Sequence, residues 1–509
     1  MSSVDASEPP SEVELKLAIA SDSARSAADR EVGRGPARSV ETIYFDTPRR
    51  RLQSAGFSLR LRRDGENWSQ SVKGNGGGLT RFEQDYPLRG GLPDFSLLDG
   101  TPLAALVGVE DRPAPVFVTR VQRRSRRRAA NGSRIEFSLD EGEVIARDRS
   151  WPILELELEL KGGAREALFS EGRRLAERDA FVPAFMSKAE RGFALVDGLL
   201  GEPVKFGAHP LGAEVSATEA FQTLARRCLR QLSLNADLIV GGKRLEAVHQ
   251  ARTSLRRLRV ALALFKPVLP AGRSGAIRAE LKWLATELAE ARNLDVFMFE
   301  TFRPTAERIA DRAAAAAFGK ALLHANTLAH ERAAAAIASP RFRLLLLDVA
   351  RWIETELDPA LAHHDTGPRA ADFAHDALGE QRRALRRRLE TLDWSDPEAR
   401  HKTRIAAKKM RYASEFFLDL GPRSRASSYR PFIKSLAVLQ DRFGRLNDLA
   451  VAEPMIPVVL GATIAEPAEA QKVAYAAGLI MGRALGKSKG LTKSARRAGA
   501  EFLDAPIWW

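Results

Sequence analysis

Glutamates at alternate positions mark two segments of the sequence. Glu155, Glu157 and Glu159 alternate with leucines, and Glu12 and Glu14 repeat the pattern near the start of the chain. Alternate side chains of a β-strand lie on one face, about 7 Å apart. Like charges this close repel each other unless cations lie among them. One such strand is typical of a solvated sheet face, whereas two strands of this kind favour a face that binds cations.

Basic residues in the same part of the chain complement these carboxylates. They are Lys16, Arg60, Arg62, Lys73 and Lys188. Carboxylate oxygens are the hard ligands that Mg²⁺ and Mn²⁺ prefer, and Arg and Lys side chains bind phosphate oxygens. A site that contains both sets predicts a metal–phosphate substrate. The sequence has no Gly-x-x-x-x-Gly-Lys-Ser/Thr loop, which agrees with a phosphate site formed by strand side chains.

A second charged pattern has helical spacing and occurs twice. The first copy is His249, Arg252, Arg256 and Arg259, and the second, 152 residues later, is His401, Arg404, Lys408 and Arg411. Each set lies within about 80° on one helix face. Lys282 and Lys434 recur at the same displacement. Neighbouring cations without acids between them destabilise a helix by roughly 0.2–0.5 kcal/mol per pair, so the duplicated stripe predicts an anionic partner.

The elements that must position these residues follow from periodicity. Period-two alternation over residues 12–161 predicts β-strands, and a helix is expected over residues 164–178. Residues 201–214 contain several Gly and Pro residues, as is typical of a linker. Beyond them the hydrophobic period becomes helical, so the basic stripes belong to an all-helical region.

Charge is distributed unevenly between these parts. Residues 1–200 carry 31 basic and 31 acidic residues, so the net charge of +14 lies entirely in residues 201–509. A basic region implies a polyanionic partner such as nucleic acid, anionic lipid or polyphosphate. The aromatic content of 7% disfavours nucleic acid as a partner, because proteins that bind single strands stack the bases on exposed rings.

Composition also limits the class of protein. With 45% hydrophobic and 28% charged residues among 509, the chain is long enough for about three domains and is neither disordered nor typical of membrane proteins. Cys228 is the single cysteine, which excludes a disulfide framework and a thiolate zinc site. No apolar stretch reaches the roughly 20 residues of a membrane span, so we expect a cytoplasmic location and no membrane partner.

Several ordered motifs in residues 10–200 resemble those of a known family. They are Glu12-x-Glu14-x-Lys16, Tyr44-Phe45-Asp46-Thr47, Leu59-Arg60-Leu61-Arg62, Trp68 followed by Lys73-Gly74, Arg81-x-Glu83, Leu154-Glu155-Leu-Glu157-Leu-Glu159-Leu-Lys161 and Ser187-Lys188-x-x-Arg191-Gly192. This series resembles the CYTH family of triphosphate tunnel metalloenzymes. The resemblance implies an eight-stranded antiparallel β tunnel whose inward charged face binds a triphosphate with Mg²⁺ or Mn²⁺.

The resemblance also implies roles for individual residues. The implied metal ligands are Glu12, Glu14, Glu155, Glu157 and Glu159. The implied phosphate-binding residues are Lys16, Arg60, Arg62, Lys73, Arg81, Lys188 and Arg123, the last chosen over Arg120 and Arg124. The implied catalytic set is Glu12, Glu14, Lys16, Arg60, Arg62 and Lys73, with Glu83, Glu136 and Asp140 as further lining residues. The implied reaction is metal-assisted hydrolysis, in which water attacks a terminal phosphorus in line and basic residues stabilise the leaving diphosphate.

The two basic stripes resemble a second family. Together with Leu446-Asn447-Asp448, they are similar to the CHAD domain, the conserved-histidine α-helical domain, over about residues 215–495. The resemblance implies two helical bundles, at about residues 215–370 and 371–495, that bind inorganic polyphosphate and can direct a protein to polyphosphate granules. It implies that the two stripes, with Lys282 and Lys434, bind the polyphosphate. Residues 496–509 are expected to form a C-terminal tail.

The sequence thus predicts a multidomain α+β protein, with a CYTH tunnel domain in residues 10–200, a linker in residues 201–214 and an all-α CHAD domain of two pseudo-repeated bundles in residues 215–495. The expected function is that of a metal-dependent inorganic triphosphatase, which hydrolyses tripolyphosphate to diphosphate and phosphate and also binds polyphosphate. Two alternatives stay open. One is a non-catalytic polyphosphate-binding or granule-associated protein, and the other is adenylate cyclase or organic triphosphatase activity of the tunnel.

Overall fold

The computed structural model describes residues 11–74, 80–108, 111–207, 211–212, 214–242, 244–270, 272–357, 367–462 and 467–509. Over these residues the N-terminal part is built on a β-sheet and the C-terminal part is helical, which confirms the α+β layout. Contacts divide the chain into two compact units, the tunnel unit (Met1–Pro203 with Ser339–Asp358) and the helical unit (Val204–Ala338 with Pro359–Trp509). None of the described helices combines the length and the apolar composition that crossing a bilayer requires.

The sheet of the tunnel unit contains nine strands among the described residues. They are β1 Ser11–Ile19, β2 Arg38–Asp46, β3 Phe57–Asp64, β4 Asn67–Gly74, β5 Thr80–Leu88, β6 Ala114–Ala130, β7 Ser133–Ala146, β8 Arg149–Gly162 and β9 Phe181–Pro183. Their order is β5-β4-β3-β2-β6-β7-β8-β1-β9, and β5 also pairs with β1. Eight strands therefore close into a ring, in which every pairing is antiparallel.

The ninth strand corrects the prediction of an eight-stranded sheet. One edge of β1 pairs with β8, and its other edge is shared by β5, at residues 11–13, and by β9, at residues 17–19. β9 has only three residues, so no period-two pattern marks it in the sequence. Tertiary pairing with β1 alone makes it a strand.

Tight turns and buried leucines explain how the long strands are held. Asn131 and Gly132 connect β6 to β7 with φ values of 50° and 72°, the left-handed pair that a two-residue hairpin of this type requires. Outward-facing Leu15, Leu156 and Leu158 are at most 4% exposed. Part of the hydrophobic core thus lies outside the ring, and the charged positions that alternate with these leucines face inward. A second apolar cluster, which includes Tyr44 and Val121 from the lining of the ring, lies inside it.

The helices are distributed over the whole chain. They are α1 Asp22–Val32, α2 Arg51–Ser54, α3 Glu166–Arg178, α4 Lys188–Val196, α5 Ala217–Val240, α6 Arg244–Leu264, α7 Ser274–Glu287, α8 Ala289–Val296, α9 Arg303–Ala306, α10 Arg312–Ala338, α11 Pro340–Arg351, α12 Ala370–Glu390, α13 Pro397–Phe416, α14 Ala426–Gly461, α15 Pro467–Gly486 and α16 Ser488–Leu503. Short π-helical segments follow α8 and α11, at Phe297–Phe302 and Trp352–Glu356. Helix α3 confirms the helix expected over residues 164–178.

In the helical unit, α6 and α13 carry the two basic stripes and pack against each other. The pseudo-repeat of two bundles remains a prediction. Residues 496–509, expected to be a tail, continue helix α16 as far as Leu503, and Trp508 and Trp509 are then 2% and 7% exposed. Trp509 packs edge-on against Phe432 of α14, and burial of such large rings is strongly favourable. The chain end is therefore part of the helical core.

Candidate functional site

The ring of strands encloses a charged cavity of about 410 Å³. Its described lining contains nine acidic and nine basic side chains. The acidic ones are Glu12, Glu14, Asp64, Glu83, Asp85, Glu136, Asp140, Glu157 and Glu159, and the basic ones are Lys16, Arg38, Arg60, Arg62, Lys73, Arg123, Arg127, Lys161 and Lys188. The charged strand faces thus line an interior instead of facing bulk solvent, and the sum of their formal charges is zero.

Strand register brings acidic and basic residues of three strands side by side. Lys16 of β1 lies opposite Glu157 of β8, and Asp140 of β7 lies opposite Glu155 on the other edge of β8. Directly opposite residues of an antiparallel pair have Cβ atoms about 4.5–5.5 Å apart. The side chains of these strands are therefore close enough to form one network.

Within the described part of the chain, one group of three acidic residues is compact enough to hold a metal ion. Asp140, Glu155 and Glu157 each contribute an oxygen, and these oxygens lie within 4.8 Å of one another. The three residues are 0%, 1% and 8% exposed. A buried set of carboxylate oxygens fits the coordination preference of Mg²⁺ or Mn²⁺. Sequence reasoning named Asp140 only as a lining residue, because its place beside Glu155 depends on the β7–β8 register.

Lys188 lies at the centre of this acidic group. Its Nζ is 2.7 Å from Asp140 Oδ2, 2.5 Å from Glu155 Oε1 and 2.8 Å from Glu157 Oε1. Arg191, one turn further along α4, approaches Glu155 Oε2 to 2.9 Å. Helix α4 therefore supplies two cations to the carboxylates of β7 and β8.

The start of α4 is fixed by local sequence. Ser187 caps the helix, since its side chain accepts a hydrogen bond from the backbone N–H of Glu190 while the Glu190 carboxylate accepts one from the backbone N–H of Ser187. This reciprocal arrangement satisfies two donors that a helix start leaves without partners. Gly192 lets the helix pack closely on β6, because a Cβ there would lie 2.0 Å from the Phe117 ring. Lys188 is thereby held at a defined position in the cavity lining.

Arg123 connects the acidic group to β6. Its Nε is 2.6 Å from Asp140 Oδ1, and its Nη2 is 2.5 Å from Asp140 Oδ2 and 2.6 Å from Glu157 Oε2. Of the three arginines considered from the sequence, Arg123 lines the cavity. Arg120 and Arg124 lie on the opposite face of β6, where they pair with acidic residues outside the cavity.

These contacts determine which groups are charged. Burial alone would raise the pKa of Glu157, but Lys16, Lys188 and Arg123 hold it well below its usual value. Burial also opposes ionisation of Glu155, yet neighbouring cations, Lys188 first among them, lower its pKa to about 2. Burial would lower the pKa of Lys188, and the carboxylates around it raise it above the usual range. All three are thus ionised near neutral pH.

A second charged group lies where β1, β4 and β5 meet. Lys73 of β4 pairs with Glu12 and approaches Glu83 Oε2 to 3.1 Å. Arg60 also pairs with Glu83. Burial would raise the pKa of Glu83, and Arg60 and Lys73 lower it. Glu83 is therefore held as a carboxylate by two cations.

Three of the predicted metal ligands lie outside the compact acidic group, among them Glu12. Lys16 Nζ is 3.0 Å from Glu14 Oε1 and 3.0 Å from Glu157 Oε1, so it links Glu14 to the acidic group. Glu159 pairs with Lys161, and burial raises its pKa. The structure thus brings together Glu155 and Glu157 of the five predicted ligands.

Arg62 differs from the other cations of the lining. Among the described residues, it forms no ion pair with a carboxylate, and its Nε is buried without a hydrogen-bond partner. Burial lowers its pKa, and the nearby charges of Arg123 and Arg60 lower it further. An unpaired guanidinium between like charges is well suited to bind an anion.

Sequence reasoning missed five charged residues of the described cavity lining. They are Arg38, Asp64, Asp85, Arg127 and Lys161. Strand alternation contains the signal for them, since Asp85 stands two residues after Glu83 on β5 and Lys161 two residues after Glu159 on β8. The backbone of Arg81 pairs with Glu12, while the Arg81 side chain lies outside the described residues.

In the helical unit, the two basic stripes converge. We use the term basic cluster for Arg252 and Arg256 of α6 with Arg404 and Lys408 of α13. Arg256 lowers the pKa of both Arg404 and Lys408, so like charges of different helices face each other. Within the described structure, none of these four forms an ion pair with a carboxylate, although Asp448 of α14 is near enough to affect Arg404 and Lys408.

The electrostatic cost of the basic cluster is large. Burial, Arg256 and Arg404 lower the pKa of Lys408 to about 6. Burial, Arg256 and Arg292 lower the pKa of Arg252 to about 10. Arg292 of α8 therefore also contributes to this electrostatic environment. Such half-buried cations are stabilised when an anion binds among them.

The remaining residues predicted to bind polyphosphate differ in exposure and in their contacts. Arg259, Lys282, His401 and Lys434 are exposed. His401 Nδ1 is 2.9 Å from Asn447 Oδ1, and Arg411 Nε is 3.1 Å from Glu415 Oε1. His249 is half-buried, and burial with Arg292 lowers its pKa.

Comparison with known proteins agrees with this organisation. Residues 10–193 match the family model of the CYTH domain, and residues 223–456 match that of the CHAD domain. An inorganic triphosphatase of Haemophilus influenzae is 32% identical over 161 residues, which cover 30% of this chain and 44% of that protein. The chain thus spans less than half the length of that relative. An uncharacterized protein of Mycobacterium tuberculosis is 25% identical over 412 residues, covering 76% of this chain and 78% of that protein.

A solved structure supports the helical assignment. The CHAD domain from the plant Ricinus communis is 31% identical, with a TM-score of 0.51, and the likeness covers 60% of this chain and 99% of that one. The chain therefore belongs to the CYTH family through residues 10–193 and to the CHAD family through residues 223–456.

Proposed function

We propose that the protein is a metal-dependent inorganic triphosphatase that hydrolyses tripolyphosphate to diphosphate and phosphate. The observation that carries this proposal is the enclosed cavity lined by nine carboxylates and nine cations. A metal–phosphate substrate needs both, because carboxylates hold the cation and basic groups hold the phosphate oxygens. Similarity over 161 residues to an inorganic triphosphatase supports the same reaction.

The compact acidic group is the best candidate metal site of the described residues. Asp140, Glu155 and Glu157 would hold Mg²⁺ or Mn²⁺, since their oxygens lie within 4.8 Å of one another. When bound, the ion supplies charge stabilisation at the reacting phosphoryl group and activates water. A ligand role for Glu12, Glu14 and Glu159 remains a prediction.

The cations of the cavity would bind and orient the triphosphate. Arg62 offers N–H donors that no described carboxylate occupies, so it takes a phosphate oxygen without breaking an ion pair. Arg60 and Lys73, on the adjacent strands, would stabilise the negative charge that develops on the leaving diphosphate when water attacks in line. Lys16 and Lys188 hold the carboxylates ionised and complete the basic lining.

The lining favours an inorganic substrate over a nucleotide. Tyr44 is the one aromatic residue among the described lining residues. Its ring is stacked on Phe117 with centroids 4.5 Å apart, and the residue is 3% exposed. No described ring is thus open for stacking an adenine base, which disfavours the adenylate cyclase alternative.

Phosphate release from tripolyphosphate, ATP, thiamine triphosphate and long-chain polyphosphate, with Mg²⁺ or Mn²⁺ and with or without EDTA, tests this function. We expect tripolyphosphate to be the preferred substrate and EDTA to abolish release. Glu157→Gln should abolish turnover, whereas Glu141→Gln, an exposed residue on the outer face of β7, should not. Undiminished turnover in Glu157→Gln would refute the site, and binding without turnover in the wild type would favour the non-catalytic alternative.

We also propose that the helical unit binds inorganic polyphosphate. Support comes from four half-buried cations on two facing helices that form no ion pair among the described residues, together with the net charge of +14 that residues 201–509 carry. Polyphosphate presents closely spaced negative charges, which a cluster of cations complements.

Charge reversal tests this binding in the full chain. In a Glu157→Gln background, Arg252, Arg256, Arg404 and Lys408 are changed together to Glu, and polyphosphate affinity is measured. We expect at least a hundredfold loss, because several phosphate contacts are removed at once (~1.5–3 kcal/mol each). Reversal of the exposed Arg386, Arg387, Arg388 and Lys409 is the control and should cost far less. Equal competition by duplex DNA at matched salt would refute polyphosphate specificity.

A further inference from the structure

One helix of the tunnel unit comes from a distant part of the chain. Residues 339–358 follow α10 of the helical unit, yet they belong to the tunnel unit. They form α11 and the π-helical segment that follows it. Ser339 caps α11 and Pro340 occupies its first turn, a combination that stabilises a helix start. The chain thus enters the tunnel unit twice.

Helix α11 caps the end of α3. Arg343 is 6% exposed, and its Nε and Nη2 donate to the backbone oxygen of Ala176 over 3.3 Å and 3.1 Å. Ala176 lies in the last turn of α3, where carbonyl groups lack partners within the helix and where the helix dipole favours a cation. Asp348 adds an ion pair of 2.7 Å with Arg173 of α3. Two polar contacts therefore fix α11 on α3.

Apolar packing continues from α11 through α3 to the tunnel wall. A Cβ at Gly172 of α3 would lie 2.6 Å from Leu15 Cδ2 and 3.4 Å from Leu347 Cδ2. Leu15 and Leu347, on β1 and α11, thus approach the same glycine from two directions, and they are 4% and 1% exposed. Leu15 stands between Glu14 and Lys16 on β1, with its side chain on the outer face. The backbone that presents Glu14 and Lys16 to the cavity is therefore backed by α3 and α11.

Helix α11 also supports the approach to Lys188. It packs on β9 as well as on α3. β9 pairs with β1, and the Ala184 N–H that follows it donates to the backbone oxygen of Lys16 over 2.9 Å. The segment from β9 leads within a few residues to Lys188. One helix thus lies behind both chain segments that supply charged groups to the cavity from this side.

We propose that α11 is a positioning element of the tunnel, so that residues 339–358 are required to hold β9 on β1 and to keep β1 in register with β8. The part of this proposal that concerns turnover rests on the proposed triphosphatase function. Residues 1–203 alone do not contain the complete tunnel unit, because the contacts of α3 with Arg343 and Leu347 come from the later segment.

Substitutions in the full-length protein test the role of α11. Leu347→Ala and Arg343→Met should each accelerate amide hydrogen exchange in residues 11–19 and 181–183, while exchange in β3 and β4 stays as in the wild type. They should lower kcat for tripolyphosphate about tenfold, because small displacements of charged groups are costly, with KM changed less. Arg343→Lys, which keeps a cation at the end of α3, should restore most of the turnover.

Leu378→Ala, at a buried position of α12 in the helical unit, is the matched core truncation. It should leave the exchange of β1 and β9 unchanged. Wild-type exchange of β1 and β9 in Leu347→Ala would overturn the proposal, as would equal effects of Leu378→Ala. If the Arg343→Met variant does not fold, the exchange of β1 and β9 in the milder Leu347→Ala variant decides whether α11 positions these strands. If the wild type shows no turnover, the proposed function fails, and the exchange pattern still decides whether α11 positions β1.

Discussion

At the scale of single residues, opposite charges inside the tunnel hold one another ionised. Glu157 contacts Lys16, Lys188 and Arg123, and their charges overcome the effect of burial on its pKa. Removing one member of such a network leaves its partners buried and uncompensated, which commonly costs about 3–5 kcal/mol. Arg62 stands apart, since the described carboxylates do not pair with it.

Replacing Arg62 with Met should weaken substrate binding and stabilise the fold. The side chain offers free donors to a phosphate, so its loss should raise KM for tripolyphosphate about tenfold or more (~1.5–3 kcal/mol). The melting temperature should rise, because burial and the charges of Arg123 and Arg60 disfavour the Arg62 cation. Steady-state kinetics and thermal unfolding measure the two effects. Arg124→Met, on the opposite face of β6, is the control, and an unchanged KM in Arg62→Met would contradict the prediction.

Polyphosphate binding should be coupled to proton uptake at Lys408. Burial, Arg256 and Arg404 lower its pKa to about 6, so the amine of the free protein is charged below pH 6 and mainly neutral at pH 7–8. A bound polyanion favours the charged form and raises this pKa. Affinity should therefore fall as pH rises above 6, with the loss continuing up to the pKa of the complex.

Titration calorimetry in buffers of different ionisation enthalpy measures this uptake. Lys408→Arg should bind polyphosphate with less proton uptake between pH 6 and 8, and it retains His249, whose own pKa is lowered by burial and Arg292. Equal proton uptake in the wild type and in Lys408→Arg would assign the effect to another group.

At the scale of elements, the tunnel depends on how helices and strands contact each other. Helix α4 brings Lys188 and Arg191 to the acidic group, and its distance from β6 is set at Gly192. The capping box of Ser187 and Glu190 is readable from the sequence. The close approach of Gly192 to Phe117 is not readable from the sequence, because it depends on the packing of α4 on a strand far away along the chain.

Gly192→Ala should destabilise the tunnel unit. The new Cβ would lie 2.0 Å from the Phe117 ring, and overpacking of this kind costs about 1–3 kcal/mol. Turnover should fall as well, because Lys188 moves with the helix. Chemical denaturation and phosphate release measure the two effects. Gly444→Ala, in helix α14 with open space around the added Cβ, should be neutral or stabilising. A Phe117→Leu substitution should partly rescue Gly192→Ala, and additive effects of the two changes would contradict the assigned clash.

At the scale of the whole molecule, the two units differ in the balance of acidic and basic side chains at their candidate binding sites. The described lining of the tunnel contains equal numbers of acidic and basic side chains. In the helical unit, the basic cluster brings together cations of two helices that form no ion pair with a described carboxylate. A triphosphate with its metal ion suits the first arrangement, and a long bare polyanion suits the second. The two ligands should therefore protect different parts of the chain.

Tripolyphosphate with Mg²⁺, added to the wild-type protein, should slow amide hydrogen exchange in β1, β7 and β8. It should leave the exchange of α6 and α13 unchanged. At about 100 times its dissociation constant, the ligand should stabilise the tunnel unit by about 2.7 kcal/mol. EDTA should reverse this effect. Long-chain polyphosphate should protect α6 and α13. Protection of α6 and α13 by Mg²⁺–tripolyphosphate, with none in β1, β7 and β8, would move the triphosphate site to the helical unit.

Local periodicity by itself determined much of this protein. Alternation in β1 and β8 revealed which side chains share a face. The spacing of Arg252 and Arg256, and that of Arg404 and Lys408, revealed the basic stripes, because both patterns follow from the geometry of one strand or one helix. The α+β layout and the division of charge between the two parts follow from the sequence in the same way.

Tertiary structure decided which residues and which surroundings these charged strand and helix faces contact. Alternation is the same whether charges face solvent or a cavity, and only closure of the ring by β5 and β1 turns them inward. Asp140 joins Glu155 and Glu157 through strand register, and Arg256 meets Lys408 through helix packing. Likewise, β9 is positioned by pairing with β1, and residues 339–358 are positioned by packing on α3 and β9. Local patterns follow the backbone period, whereas partners depend on contacts between segments that the sequence keeps far apart.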